Sequence, residues 1–177
     1  TAEVVRYLGA EVKLVDIDPE TMNIDANKIE EAITSKTKAL MPVHYAGLSC
    51  DMDKIISIAK KHDLKVIEDA AHALPSNFKN KRIGSLETDC TVFSFYANKN
   101  MTTGEGGMVV TKKEDIKDRI KLMRLHGIDR DAFNRFTDSK ASWYYEVVEA
   151  GFKYNLTDIA AAMGIEQLKK LPRFLKE

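Results

Sequence analysis

Apolar and polar positions along the 177 residues repeat with two periods, and the places where one gives way to the other mark out the elements. Val4, Val5 and Leu8 share one helix face and Gly9 supplies a stop, which predicts a helix at the start of the chain. No initiator Met or entry segment precedes it, so the chain is expected to open inside a helix of a longer protein. Val12–Ile17 alternates as a strand, and Asp18-Pro19-Glu20 reads as a turn. Asp25 is the expected N-cap of a helix from Ala26 to about Ile33, with Ile29, Ala32 and Ile33 on one face. Ala39–Val43 is a short apolar run, expected as a buried strand with Pro42 near its end. Asp51 then caps a helix that carries Ile55, Ile56 and Ala59 at helical spacing. Leu64–Asp69, Cys90–Tyr96 and Gly107–Thr111 read as strands, and a helix follows from about Lys113 to Leu125. Residues 126–150 are polar and irregular around the aromatic island Trp143-Tyr144-Tyr145. Thr157 or Asp158 opens a last helix, which Pro172 is expected to end. Its small residues Ala160, Ala161, Ala162 and Gly164 beside Ile159, Met163 and Leu168 suit internal packing, with a dimer contact as the alternative.

Strands alternating with helices predict an α/β fold on a mostly parallel sheet flanked by helices. Composition agrees with a packed globular chain, at 44% hydrophobic and 31% charged residues. Lys+Arg 27 and Asp+Glu 27 cancel and no basic stripe stands out, which argues against nucleic-acid and membrane-surface partners. No apolar run has transmembrane length, and the first residues do not resemble a signal peptide. Cys50 and Cys90 lack C-x-x-C spacing and read as buried thiols of a reduced, cytoplasmic protein; no metal site is expected.

In such sheets ligands gather at the carboxyl ends of the strands, so the residues just after each strand become the candidates. Lys99 follows the apolar run Thr91–Tyr96, where loss of solvation favours the free amine that covalent attachment to a carbonyl cofactor requires. Read alone, it could equally be a surface charge. The glycines of Thr102–Gly107 fit neither a dinucleotide fingerprint nor a P-loop, and a tight turn between strands suits them better. Asp69 ends the strand Leu64–Asp69; it is either a helix N-cap or a buried carboxylate that keeps a heterocyclic nitrogen protonated. His72 could stack on a planar ring or serve a structural role, and Ser94 could donate to a phosphate or to the local backbone.

Together these residues form a pattern. A carboxylate after one strand, then Ser-x-x-x-x-Lys before a glycine turn after another, resembles fold-type I enzymes that use pyridoxal 5′-phosphate (PLP). More narrowly, Glu68–Ala71, Phe93–Asn100 and Thr103–Gly107 resemble the motifs of the DegT/StrS-type nucleotide-sugar aminotransferases. Val15–Asp18, Pro42–Gly47, Leu125–Gly127 and Gly151–Ala162 extend the likeness over essentially the whole chain. The resemblance implies the large domain of an aspartate aminotransferase-like fold, with residues 1–177 a fragment lacking that domain's start and the C-terminal small domain. It implies that Lys99 holds PLP and moves a proton, that Asp69 pairs with the ring nitrogen, and that His72 lies against the ring. Ser94 is implied to bind the phosphate; Lys153 and Asn155 are implied to reach toward that phosphate from the neighbouring subunit of a homodimer. Many relatives have an Asn where Lys153 falls and an Arg where Asn155 falls; Lys153 keeps a point charge for the phosphate. The implied reaction moves an amino group, with glutamate as donor, onto C4 of a UDP- or dTDP-linked 4-keto sugar. Related sugar dehydratases replace the lysine by histidine, so Lys99 argues against that activity, and a non-catalytic regulator of the same fold is the remaining alternative.

Overall fold

The computed structural model describes residues 1–129 and 145–176, which fall into two compact units, Thr1–Val110 with Asp158–Glu177, and Thr111–Thr157. The first unit is built on strands β1 (Ala39–Leu40), β2 (Lys65–Asp69), β5 (Cys90–Ser94) and β6 (Gly107–Val110), in that order across one sheet. A small antiparallel hairpin, β3 (Asn77–Phe78) with β4 (Lys81–Arg82), lies between β2 and β5 in sequence. β1 with β2 and β2 with β5 are parallel, whereas β5 and β6 are antiparallel. The expected mostly parallel α/β sheet is therefore present. The glycine turn reverses the chain between β5 and β6, with Gly104 and Gly106 at φ +79° and +147°.

Side-chain alternation along β2 decides which residues meet the interior. Val66 and Glu68 are buried on one face; Ile67 and Asp69 lie half-buried on the other. Helix α1 (Ala2–Tyr7) forms where expected, with Val4, Tyr7 and Leu8 exposed. Helix α3 (Met52–Lys61) starts as predicted, the Asp51 carboxylate accepting from the Lys54 amide at 3.2 Å. Met52, Ile55, Ile58 and Ala59 recur at helical spacing and bury that face into a core shared with Ile29, Val66, Ala70, Phe93 and Phe95. Each such large side chain contributes about 1.5–3 kcal/mol through burial.

Several expectations change, beginning with the buried strand expected over Ala39–Val43, which is reduced to β1 (Ala39 exposed, Leu40 half-buried) and an isolated bridge from Val43 to Asp69. Val12–Ile17 is not a ladder strand: a single antiparallel bridge, Ile17 with Ile24, is its pairing, and Leu14 is exposed. The helix expected from Ala26 shrinks to α2 (Ile29–Ala32), because the Asp25 carboxylate accepts from the Asn27 amide at 2.9 Å and holds the chain in a turn first. The last helix, α5 (Asp158–Phe174), runs past Pro172, which sits so near the end that its missing N–H removes little of the ladder. Within α5, Gly164 and Leu171 are buried but Ile159, Met163 and Leu168 are exposed, so internal packing holds for only part of the expected face.

The second unit contains α4 (Glu114–Met123) and the segments after it. Arg119 makes a bidentate pair with Glu149, and bridges join Leu125 to Lys153 and Ile128 to Val147. The turn at Gly127 and the 149–151 segment cross so closely that a Cβ on Gly127 would collide with the Glu149 carbonyl oxygen and one on Gly151 with the Gly127 nitrogen. That crossing is the physical reason both motifs carry glycine. Trp143 and Tyr144 lie outside the described residues, and Tyr145 is exposed. No helix among the described residues is long and apolar enough to cross a membrane.

Candidate active site

The carboxyl ends of β2 and β5 lie side by side, with Asp69 in register with Val92. Residues in register point to the same face and so do residues two apart, which puts Asp69, Val92 and Ser94 on one face of the sheet. Ser94 is thus about two residues, roughly 6–7 Å, further along the strand axis than Asp69. The Asp69 carboxylate is already engaged at both oxygens: Oδ1 accepts from the Ala71 amide at 3.1 Å, and Oδ2 accepts from the Thr1 hydroxyl. No helix directly follows β2 among the described residues, so the N-cap reading of Asp69 reduces to the cap of a 70–73 turn, and a carboxylate in that role keeps lone pairs for another donor.

Beyond the strand ends, a cavity of about 280 Å³ opens between two loops, near the lower end of the range of ligand pockets, about 300 Å³. Ala71 and His72 line it from the loop after β2, Ser94 and Lys99 from the end of β5 and its loop, and Tyr45 and Ala46 from a third segment. Asn100 ties two of the walls together by donating from Nδ2 to the Leu74 carbonyl at 3.0 Å. Lys99 is half-buried, its backbone N–H donating to the Tyr96 carbonyl at 3.0 Å. No carboxylate among the described residues pairs with its ammonium. Ser94 Oγ accepts from the Tyr96 amide at 3.3 Å, leaving the hydroxyl proton to be donated. The structure thus brings His72, Ser94 and Lys99 to one cavity. Asp69 does not line it; it sits two residues before Ala71 on the sheet face that the cavity adjoins. Lys153 and Asn155 belong to the second unit, where Lys153 Nζ donates to Asn155 Oδ1.

The opposite face of the same strand ends carries a second carboxylate. Glu68 is fully buried and accepts from three donors: Thr88 and Thr91 hydroxyls donate to Oε1 at 2.6 Å each, and His44 Nε2 lies 3.0 Å from Oε2. His44 Nδ1 accepts from the Cys50 amide at 3.1 Å, so the ring proton is on Nε2 and is donated to Glu68. Burial works to raise the Glu68 pKa, but the donors from His44, Thr88 and Thr91 outweigh it and hold the carboxyl below the usual range. Burial and the nearby Glu68 charge push the Cys50 thiol up to about 12. Among the described residues no buried side-chain N or O atom lacks a partner.

A family profile, that of the DegT/DnrJ/EryC1/StrS aminotransferase family, matches residues 1–177. The chain belongs to that family. Among its relatives, the spore coat polysaccharide biosynthesis protein SpsC of Bacillus subtilis is 50% identical over 171 residues, 97% of this chain and 43% of SpsC. Spr1654 of Streptococcus pneumoniae in its PMP form superposes with a TM-score of 0.88 at 35% identity, over 98% of this chain and 48% of that one. The PLP form of Spr1654 gives 0.84 at 34% identity, over 97% of this chain and 46% of that one. DesI, solved in the presence of its TDP-sugar product, gives 0.80 at 34% identity, over 97% of this chain and 40% of that one. The fold is therefore that of PLP-dependent aminotransferases, and the chain spans less than half the length of the relatives it matches.

Tyr45, Ala46 and Asn100 were not singled out from the sequence as site residues, although all three fall within motifs of the family likeness. The available signal was their position, just after the Ala39–Val43 run and just after Lys99, at the strand ends where such sheets bind ligands.

Proposed function

We propose that this chain is part of the large, PLP-binding domain of an aminotransferase that aminates a keto group of a nucleotide-linked sugar. The observation that carries the reading is Lys99: a half-buried amine without a carboxylate partner among the described residues, lining one cavity with Ser94 and His72 at the carboxyl edge of a mostly parallel sheet. The residues present suit the group. Lys99 Nζ is the amine that holds the cofactor and later carries the proton. The Ser94 hydroxyl, its acceptor side satisfied by Tyr96, donates to the phosphate. Asp69, on the sheet face opposite the buried Glu68, would hold the proton on the ring nitrogen, and His72, exposed at the cavity wall, would contact the ring. When bound, PLP supplies an electron sink that stabilises negative charge at the carbon bearing the amino group. Lys153 and Asn155 serve the phosphate of the neighbouring subunit in a homodimer.

Family membership and the sugar-product relative favour a nucleotide sugar as acceptor. C4 of a UDP- or dTDP-4-keto sugar, glutamate as donor and a cytoplasmic setting complete the proposal. The test uses the full-length protein. With PLP, wild type is expected to show a lysine-dependent visible absorption band that Lys99→Ala lacks, and to turn over glutamate with a 4-keto sugar nucleotide. No such band, or a band that survives Lys99→Ala, overturns the reading.

A further inference from the structure

The third wall of the cavity has no part in the chemistry above, yet it is the most tightly specified. Tyr45 and Ala46 lie on a 3₁₀ turn, Tyr45–Gly47, closed by the Leu48 amide donating to the Tyr45 carbonyl at 2.9 Å. Ala46 has φ +50°, a left-handed conformation that alanine seldom adopts unless its surroundings impose it. Gly47, at φ +86°, packs on the loop that carries His72: a Cβ there would lie 3.1 Å from the His72 carbonyl oxygen. Ser76 Oγ donates to the Gly47 carbonyl at 2.5 Å from the same loop. Whatever fixes this turn therefore also fixes the His72 loop.

Asn23 holds both ends of it. Its side chain is 3% exposed; Oδ1 accepts from the Tyr45 amide at 2.8 Å and Nδ2 donates to the Leu48 carbonyl at 3.1 Å. The amide orientation follows from its neighbours, since the flipped form would set donor against donor and acceptor against acceptor. Asn23 is anchored in turn by its own backbone, whose carbonyl accepts from the Asp18 amide at 2.9 Å. We infer that Asn23 is a positioning residue for the cavity: it clamps the Tyr45–Gly47 turn in its left-handed form and, through Gly47, sets the loop bearing His72. For its consequence on cofactor binding the inference rests on the PLP reading; for the coupling between turn and loop it does not.

The experiment compares full-length wild type with Asn23→Ala, Asn23→Asp and Ile29→Val. The Asp variant keeps the acceptor for Tyr45 and replaces the donor to Leu48, so it retains half of the clamp. Ile29→Val trims a buried methyl elsewhere and reports loss of stability alone. Amide hydrogen exchange is expected to lose protection at residues 45–48 and 73–76 in both Asn23 variants, with α3 amides unchanged and Ile29→Val unchanged at both loops. Loss confined to the Tyr45 amide, or spread evenly over α3 as well, overturns the coupling. PLP titrated spectroscopically is expected to bind about tenfold more weakly to Asn23→Ala, and by less to Asn23→Asp. Equal affinity in wild type and Asn23→Ala overturns the functional half. Absence of PLP uptake by wild type instead removes the cofactor reading, and the exchange result still decides the clamp.

Discussion

Glu68 and Asp69 are neighbours on one strand, and the one-residue step between them carries one into the interior and the other to the half-buried opposite face, which also bears Ser94. Glu68 has no exposure and its oxygens are filled by His44, Thr88 and Thr91. Asp69 is half-buried and held by one backbone amide and one hydroxyl, with capacity to spare. The contrast teaches that the same chemical group, one residue apart, is saturated with buried donors on one face and left with spare acceptor capacity on the other. What differs is desolvation and the number of donors each face supplies.

Paired substitutions break or sharpen that contrast. Removing Glu68 leaves the His44 Nε2–H and two threonine hydroxyls buried without their acceptor; Glu68→Ala is expected to cost about 3–5 kcal/mol in urea unfolding. Asp69→Ala is expected to cost about 1 kcal/mol, the loss of a turn cap, while abolishing PLP uptake by the full-length protein. Equal stability losses for the two would dissolve the distinction.

The pH dependence carries a definite sign. The folded state holds the Glu68 proton less tightly than the unfolded chain does, so its stabilising contribution is present above the unfolded value, about 4.3, and is lost as pH falls through the lower folded value. Unfolding free energies measured from pH 6 down to pH 3 are expected to fall more steeply in wild type than in Glu68→Gln. An identical slope would remove Glu68 from the account.

Thiol chemistry gives a smaller effect on the buried side. Cys50, 1% exposed with its pKa at about 12, is expected to resist a thiol reagent at pH 8 until the protein unfolds, with Cys90 slowed by its own burial and the nearby Asp89 charge. Rapid labelling of Cys50 in native protein would show that the Glu68 side opens readily. The smallest effect belongs to the cavity wall: Ala46→Gly, which relieves a left-handed alanine, is expected to change stability by about 1 kcal/mol or less in the favourable direction.

How much was legible beforehand depended on whether neighbours in sequence carried the information. The strands ending at Asp69 and Ser94, the Asp51 cap and the α3 face were readable because local periodicity and one side chain specify them. Val12–Ile17 misled because a strand exists only with a partner, and its pairing reduces to the bridge at Ile17. Asp25 misled because an Asx turn and an N-cap use the same carboxylate. His72, Ser94 and Lys99 were all candidates from the sequence, and the structure puts them on one cavity. The Asn23 clamp had no signal at all, since its partners lie 22 and 25 residues away.

By itself, the order of residues determined most element types, the strand-end candidates and the family, since each is written in short runs whose spacing matches a helix turn, a pleat or a motif. Tertiary structure alone decided which of two adjacent carboxylates is interior, that β6 runs antiparallel, and which backbone turn walls the cavity. Those outcomes depend on packing and hydrogen bonds between segments far apart in the chain, and no local pattern encodes a partner that the chain reaches only on folding.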